Sequence, residues 1–121
     1  MKDEITFDDF QKVDIRIGTV VSAEVPEWSH WVMKLTVQFD EELGERTIFA
    51  GIMKHYKPED LIGKQFPFVV NLKPKKIGPE RDFSEGMMLC PSVASGEGGV
   101  MEDRPILLPL TEKVPNGTKV R

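Results

Sequence analysis

The sequence predicts an all-β protein, a five-stranded Greek-key barrel with short helices and with extensions at both ends of the chain. Three observations support this fold class. Several short segments alternate between apolar and polar residues, which is the period of a half-buried strand. Glycine and proline punctuate the connections between these segments. Helix signals occur only in two short stretches, one before the first strand and one between the third and fourth strands.

Length and composition limit the organisation of the chain. With 121 residues and 40% hydrophobic content, residues 1–121 can close one core, so a single domain is predicted. No apolar run approaches the roughly 20 residues that span a bilayer, and residues 1–4 lack a signal-peptide core. The sequence therefore predicts a cytoplasmic protein. The single cysteine, Cys90, follows an apolar run and is predicted to be a small buried hydrophobe.

Two short helices are predicted. Thr6 followed three residues later by Asp9 indicates a capped helical turn that brings Phe7 and Phe10 towards the first strand. In residues 57–63 a proline occupies an early helical position, acids follow it, and a glycine ends the segment, which is the pattern of a second short helix.

The first strand is predicted over residues 13–25. Its odd-numbered positions are mostly apolar and its even-numbered positions are more polar, so we expect the odd positions to face the core. On that basis Arg16 projects from the opposite surface. Gly18 is expected to mark a sharp bend.

Two further strands complete a meander. Residues 35–39 alternate, residues 40–44 form an acidic turn, and residues 46–52 return as the third strand. The connector before the second strand carries Trp28 and Trp31. These aromatics have two open interpretations: a stacking platform for bases, or rings that close the end of a small core.

The second half of the chain supplies the remaining strands. Residues 65–73 are predicted to place Phe66, Phe68, Val70 and Leu72 on the core face, with a free edge at Pro67 because proline cannot donate to a ladder. Residues 84–90 are predicted to form the fifth strand. Residues 91–99 are interpreted as a flexible connection, and residues 106–110 as further strand material.

Charge is distributed unevenly along the chain. Residues 71–81 contain four cations and one carboxylate, a net charge of +3 in a chain whose total is −4. The wider span 46–81 has a net charge of +5. A solvated face is the ordinary explanation of a charge run. Here prolines and glycines also shape the loop, and a cationic face on an acidic body favours a polyanionic partner.

The order of elements, three meandering strands, a short helix and then two more strands, is that of an OB-fold. Over nearly its whole length the chain also resembles the tRNA-binding domain family. The matching segments are Asp14-Ile-Arg-Ile-Gly18, Lys34-Leu-Thr-Val37, Arg46-Thr-Ile-Phe-Ala-Gly-Ile52, Tyr56-Lys-Pro-Glu-Asp-Leu-Ile-Gly-Lys64, Asn71-Leu-Lys-Pro-Lys-Lys-Ile77, Ser84-Glu-Gly-Met87 and Pro115-Asn-Gly-Thr-Lys119. Their common order and spacing make the resemblance specific.

The resemblance implies an OB barrel that binds tRNA without catalysing a reaction and without a cofactor or metal. It also implies a homodimer, because free-standing members of the family are homodimers, and an aminoacyl-tRNA synthetase as a further partner. Carried over by position, it implies RNA contacts by Arg16, Asn71, Lys73, Lys75, Lys76, Ser84 and Met87. The connector before the second strand departs from the family pattern: the usual segment is His-Pro followed by small, polar and leucine residues, whereas here it reads Val25-Pro-Glu-Trp-Ser-His-Trp31.

Other functions have weaker support in the sequence. Ser84 lacks the glycine setting of a hydrolase nucleophile, and neither His30 nor His55 has a ligand partner at metal-binding spacing. The glycine-rich run at residues 96–99 is not followed by the Lys-Ser/Thr of a phosphate-binding loop. The alternative function that stays open is that of a CsaA-like export chaperone, which would hold unfolded peptides on the surface around Trp28 and Trp31.

Overall fold

The computed structural model describes residues 1–94 and 103–121 in full. It also describes the backbone, but not the side chains, of Ser95 and Glu102. Within these residues the elements, in chain order, are α1 (Phe7–Gln11), β1 (Ile15–Glu24), β2 (Met33–Gln38), β3 (Glu45–Ala50), a 3₁₀ turn (Pro58–Asp60), β4 (Gln65–Val69), β5 (Lys75–Ile77), β6 (Asp82–Ser84), β7 (Met87–Met88), β8 (Ser92–Ser95) and β9 (Glu102–Pro105). Strands dominate the described chain.

Five strands form one antiparallel sheet in the order β3-β2-β1-β4-β7. The two ends of this sheet approach each other. The backbone N–H of Glu85, just before β7, donates to the carbonyl of Thr47 in β3 over 2.8 Å. This contact nearly closes the sheet into a barrel, so the predicted five-stranded OB-like barrel is confirmed.

The core lies inside the barrel. Phe39 and Phe68 meet edge to face there, with ring centroids 5.7 Å apart. The buried residues of this cluster are Val20, Met33, Leu35, Val37, Phe39, Ile48, Ala50, Ile52, Leu61, Phe66, Phe68, Val70 and Met88. Most of them come from alternate positions of β2, β3 and β4, which is why the alternation of the sequence located these strands.

β1 departs from its predicted alternation. Val20 pairs with Val37 and Ser22 pairs with Thr36, so one residue, Val21, bulges between them. Val20 is fully buried and Val21 is exposed. The prediction that odd positions face the core is therefore wrong before the bulge, where even positions do so. In the part of β1 before the bulge, both faces of the strand carry buried residues, so an alternating pattern cannot show which face is turned to the core.

The direction of Arg16 changes with this correction. In β1 it stands opposite Phe68 of β4, whose ring is in the core, so the Arg16 side chain is on the core side at the end of the barrel. The expectation that Arg16 projects from the outer surface is wrong. The edge of β1 that β2 leaves free is occupied by the C-terminal segment: Ile17 accepts from Gly117 over 2.7 Å and donates to Thr118 over 2.9 Å.

β4 is a central strand. It pairs with β1 along one edge, and along the other edge β7 pairs only with Phe68 and Val69. Beside Pro67 this second edge lies outside the described ladder, in agreement with the free edge predicted there, so the missing proline N–H costs no ladder bond. Phe66 and Phe68 are buried as predicted. Leu72 is exposed rather than in the core because it lies beyond the end of the strand.

The later segments differ from their predicted boundaries. The single strand predicted over residues 84–90 is divided between β6 and β7, and β6 pairs with β5 in a separate hairpin. Within the predicted flexible connection, residues 92–95 form β8 and pair with β9; residues 96–99 lie outside the described residues. Residues 106–110 are irregular, so the strand predicted there is wrong, and the strand of the tail lies earlier, in β9.

Both short helices are confirmed. The N–H of Asp9 donates to Thr6 Oγ1 over 3.1 Å, which caps α1. Pro58 begins the 3₁₀ turn. Phe7 and Phe10 remain exposed on α1 instead of packing into the barrel. Within the described residues, no helix has the length and apolar character needed to cross a membrane.

Candidate nucleic-acid interface

The cations of the charge-reversed segment lie on a small hairpin, residues 73–84, which we term the basic hairpin. It contains β5 and β6, paired in antiparallel register from Lys75 opposite Ser84 to Ile77 opposite Asp82. Its turn has two residues in the left-handed region, Gly78 with φ 72° and Arg81 with φ 60°. A segment that the sequence predicts as a shaped loop is therefore an ordered ribbon.

Trp28 supports the turn of the basic hairpin. A Cβ added to Gly78 would lie 2.4 Å from Trp28 Cζ2, so only glycine allows the backbone to pass this close to the ring. Trp28 in turn packs against Phe49 of β3, with ring centroids 6.2 Å apart. Of the two interpretations of this aromatic, the structure supports packing for Trp28. Trp31 is 53% exposed.

Two polar contacts also fix the basic hairpin. Lys34 of β2 forms an ion pair with Asp82 of β6, with Nζ and Oδ2 3.2 Å apart. Arg46 Nη1 donates to the carbonyl of Val70 over 2.6 Å and to that of Glu85 over 3.2 Å, so one guanidinium holds the chain on both sides of the hairpin. From the sequence, Arg46 was predicted only as part of the cationic span and the third strand, and Lys34 only as part of its motif.

The predicted lysine contacts come together on this hairpin and its approach. Lys73, Lys75 and Lys76 are all exposed. No carboxylate in the described part of the chain forms an ion pair with any of the three. Their positive charge is therefore available to an anion such as phosphate.

Asn71 lies on the surface, but its side chain already has partners. Its Oδ1 accepts from the N–H of Asp14 over 2.9 Å, and its Nδ2 donates to the carbonyl of Lys12 over 2.6 Å. Asn71 thus joins the residues just before β1 to the chain that leads into the basic hairpin. One lone pair and one N–H remain for a ligand, and an RNA contact by Asn71 stays a prediction.

Ser84 and Met87 are placed differently. Ser84 is buried, and its Oγ accepts from the N–H of Phe49 over 3.0 Å and donates to the carbonyl of Gly86 over 3.1 Å. Its hydroxyl therefore joins β6 to β3. Met87 is 47% exposed, whereas the neighbouring Met88 is in the core. Met87 can reach a ligand, and RNA contacts by both residues stay predictions.

Arg16 belongs to a separate group of charges, which we term the Arg16 cluster. Its Nε lies 2.8 Å from Asp14 Oδ1, and its Nη1 lies 3.4 Å from Asp40 Oδ2 and 3.8 Å from Glu42 Oε2. The hydrogen bond that Arg16 donates to the carboxylate of Asp14 raises the pKa of Arg16, against the opposing effect of burial. The structure does not bring Arg16 to the exposed cationic surface, and an RNA contact by it stays a prediction.

Groups suited to metal or nucleophile chemistry are not assembled in the described residues. Within residues 1–95 and 102–121, no three His, Cys, Asp or Glu side chains meet as metal ligands. Cys90 is partly buried, which raises the pKa of its thiol and keeps it in the weakly nucleophilic protonated form.

Known proteins are similar to this chain along nearly its whole length. Residues 15–119 match the family described as "Putative tRNA binding domain". Methionine--tRNA ligase of Porphyromonas gingivalis is 41% identical over 120 residues, which are 98% of this chain and 16% of that protein. Methionine--tRNA ligase 1 of Bacillus anthracis is 40% identical over 119 residues, again 98% of this chain and 16% of that protein. The chain therefore spans a small part of the length of these relatives.

Two solved structures match along nearly the whole chain. The MetRS related protein from Pyrococcus horikoshii superposes with a TM-score of 0.82 at 35% identity, covering 99% of this chain and 100% of that one. The chaperone CsaA from Bacillus anthracis superposes with a TM-score of 0.78 at 37% identity, covering 98% of this chain and 100% of that one.

Proposed function

The chain belongs to the tRNA-binding domain family, and from that premise we propose that residues 1–121 act as one non-catalytic domain that recognises folded tRNA through the basic hairpin. The observation that carries the proposal is the set of three exposed, unneutralised lysines on a supported hairpin. Phosphate contacts by lysine release condensed counterions and supply most of the affinity of such a site. The geometry suits a polyanion better than an apolar ligand.

The proposed contacts have different roles. Lys73, Lys75 and Lys76 bind phosphates, and Met87 lies against a base. Asn71 offers its remaining hydrogen-bonding capacity at the start of the basic segment. RNA contacts by Ser84 and Arg16 are also part of the proposal. Both residues are buried and their polar groups have protein partners, so these contacts require the side chains to exchange a protein partner for RNA.

The test replaces all three lysines by glutamate. We expect Lys73→Glu, Lys75→Glu and Lys76→Glu together to abolish tRNA binding in a filter or anisotropy assay. The melting temperature should change little, because exposed charge substitutions rarely alter stability. Unchanged tRNA affinity in a folded triple variant would refute the site.

The matched control makes the same charge change elsewhere on the protein. Lys2, Lys113 and Lys119 are also exposed and lie outside the cationic span 46–81. Replacing these three by glutamate should reduce affinity only through the long-range effect of net charge, and far less than the hairpin variant does. Equal losses in the two proteins would mean that tRNA responds to total charge rather than to a local site.

A second candidate function is a peptide-holding chaperone. It is supported by the likeness to CsaA and by the exposed Trp31 ring. A substitution at Trp31 distinguishes the two functions. A labelled unfolded peptide should bind the unaltered protein, and Trp31→Ala should weaken peptide binding without changing tRNA affinity. Absence of peptide binding at concentrations that saturate tRNA would exclude this candidate.

Assembly into a homodimer is part of the proposal. Phe7, Phe10 and Val120 line an open cavity of about 450 Å³ between α1 and the C-terminal segment, and Leu108 and Leu110 are also exposed. A second copy would cover this apolar surface. Light scattering should give twice 13.7 kDa at micromolar concentration, and Phe7→Asp with Phe10→Asp should give the monomer mass. A monomer mass for the unaltered protein would refute the dimer. Cytoplasmic location and association with an aminoacyl-tRNA synthetase complete the proposed setting.

A further inference from the structure

The two faces of the basic hairpin have different surroundings. Successive side chains of a strand point to opposite faces, so Lys76 and Phe83 share one face and the other face carries Lys75, Ile77, Asp82 and Ser84. Ile77, Asp82 and Ser84 are partly or fully buried, which identifies their face as the one against the barrel, and Lys75 is exposed at its edge. Lys76 and Phe83 are both exposed. The hairpin therefore presents one cation and one aromatic ring side by side to solvent.

Phe83 is an unusual residue for this outward face. It is directly opposite Lys76 in the ladder, so the two Cβ atoms are about 5 Å apart. The ring is 51% exposed, in a hairpin that also carries exposed lysines. A single exposed phenylalanine needs no explanation on an ordinary surface. Beside the exposed lysines of the basic hairpin, it supplies the second component of surfaces that bind unpaired nucleotides.

Aromatic rings and cations bind different parts of the same ligand. A ring stacks on the face of an unpaired base, while an adjacent ammonium neutralises the backbone phosphate. We propose that Phe83 is a base-stacking contact for an unpaired nucleotide and that Lys76 binds a phosphate next to it. The inference rests on the function proposed above and adds a ligand class to it: RNA that exposes an unstacked base.

The support beneath the hairpin favours this role. Stacking is effective when the ring is held before the ligand arrives. The contact of Gly78 with Trp28 and the ion pair of Asp82 with Lys34 fix the turn and β6, and Ser84 joins the end of β6 to β3. Phe83 lies between Asp82 and Ser84 in the sequence, so its backbone is held on both sides.

The experiment compares three substitutions at one position. Phe83→Ala should weaken tRNA binding by about 5- to 150-fold, the range for loss of one stacked base. Phe83→Leu keeps an apolar side chain without a ring and should lose nearly as much, whereas Phe83→Trp should bind at least as tightly as the unaltered protein. Upon addition of tRNA, the Phe83→Trp protein should also show more fluorescence quenching than the unaltered protein, whose tryptophans are Trp28 and Trp31.

Two controls separate stacking from other effects. Val21→Ala removes a comparably exposed apolar side chain from β1 and should leave tRNA affinity unchanged. A fully paired, blunt RNA duplex has no free base face along its length, so it should bind the Phe83→Ala and unaltered proteins equally. Melting temperatures of all variants should agree, which shows that the barrel is intact.

The outcomes distinguish this inference from the function on which it rests. Normal tRNA binding by Phe83→Ala, with binding lost in the triple lysine variant, would overturn the stacking contact and leave the tRNA site standing. Unchanged tRNA affinity of Phe83→Leu would overturn the stacking contact as well, because any apolar side chain at this position would then suffice. If the unaltered protein bound no tRNA, the proposed function itself would fail.

Discussion

Cations occupy two regions of this molecule in opposite ways. In the Arg16 cluster, a guanidinium that is 6% exposed is held by three carboxylates at the end of the barrel. In the basic hairpin, exposed lysines have no carboxylate partner among the described residues. A buried ion must be paired, whereas a paired lysine has little attraction left for phosphate. Burial and pairing, not charge alone, therefore separate a cation that stabilises the fold from one that can bind a ligand.

The largest expected effect concerns the Arg16 cluster. Arg16→Met should lower the free energy of unfolding by about 3 kcal/mol, because it leaves carboxylates without their cation. This value is at the lower end for a broken buried pair, since Asp14 and Asp40 remain 35% and 34% exposed. Urea unfolding measures the change, and Arg121→Met, at an exposed position, is the control. Unchanged stability with weakened tRNA binding would make Arg16 an RNA contact after all.

A second prediction concerns the support of the basic hairpin. Gly78→Ala should lower tRNA affinity about tenfold, because the new Cβ meets Trp28 and moves the turn. Gly44→Ala is a matched control: its φ of 65° imposes similar backbone strain, but nothing lies within 4 Å of the new Cβ. That variant should lose about 1–2 kcal/mol of stability and keep its affinity. Equal affinities of the two variants would show that the turn position does not matter for binding.

The third prediction separates charge from base contact within the interface. With the three lysine–phosphate contacts proposed above, log affinity against log salt should have a slope of about −2, from about −0.7 per contact. Met87→Ala should weaken binding by about 2- to 10-fold at every salt concentration without changing this slope. Met88→Ala, in the core, should instead lower stability. Affinity that does not depend on salt would show that the lysines serve another partner.

The smallest effect concerns an exposed ion pair. Lys12 Nζ lies 3.2 Å from Asp9 Oδ1, and this hydrogen bond, followed by those from Thr6, lowers the pKa of Asp9 below its ordinary 3.8. A lowered carboxyl pKa contributes stability above the unfolded pKa and loses it as the pH falls through the folded value. α1 should therefore fray in acid. An NMR titration should find the Asp9 midpoint below 3.8 and move it upward in Lys12→Ala; an unchanged midpoint would show that the pair does not persist in solution.

Much of the barrel was predictable from local pattern. β2 buries one face, which its alternating residues identify directly. β3 and β4 have buried residues on both faces, but their core residues Ile48, Ala50, Phe66 and Phe68 also stand at alternate positions. β1 was not predictable in the same way. Ile17 and Val20 are both buried although they lie on opposite faces, and the bulge at Val21 changes the alternation within the strand. A pattern with two buried faces has no polar side to fix its register.

The site was predictable to a different degree. Lys73, Lys75 and Lys76 could be identified because their charge reverses that of the rest of the chain. Phe83 was missed, because a single aromatic in a strand is usually core and only the pairing with Lys76 shows that it faces outward. The contact of Trp28 with Gly78 joins residues fifty positions apart, and the only local signal was the glycine in the turn.

The bonding of the C-terminal segment to β1 has a consequence for the order of folding. Thr19 Oγ1 donates to Asn116 Oδ1 over 2.7 Å across 97 residues of sequence, next to the bonds of Ile17 with Gly117 and Thr118. None of these bonds can form until the ribosome has synthesised nearly a hundred residues after β1. Until then the growing chain carries an open strand edge, the kind of surface that pairs with other chains. Such distant contacts also slow folding, so the rate of this closure sets how long each new chain is exposed to misassembly.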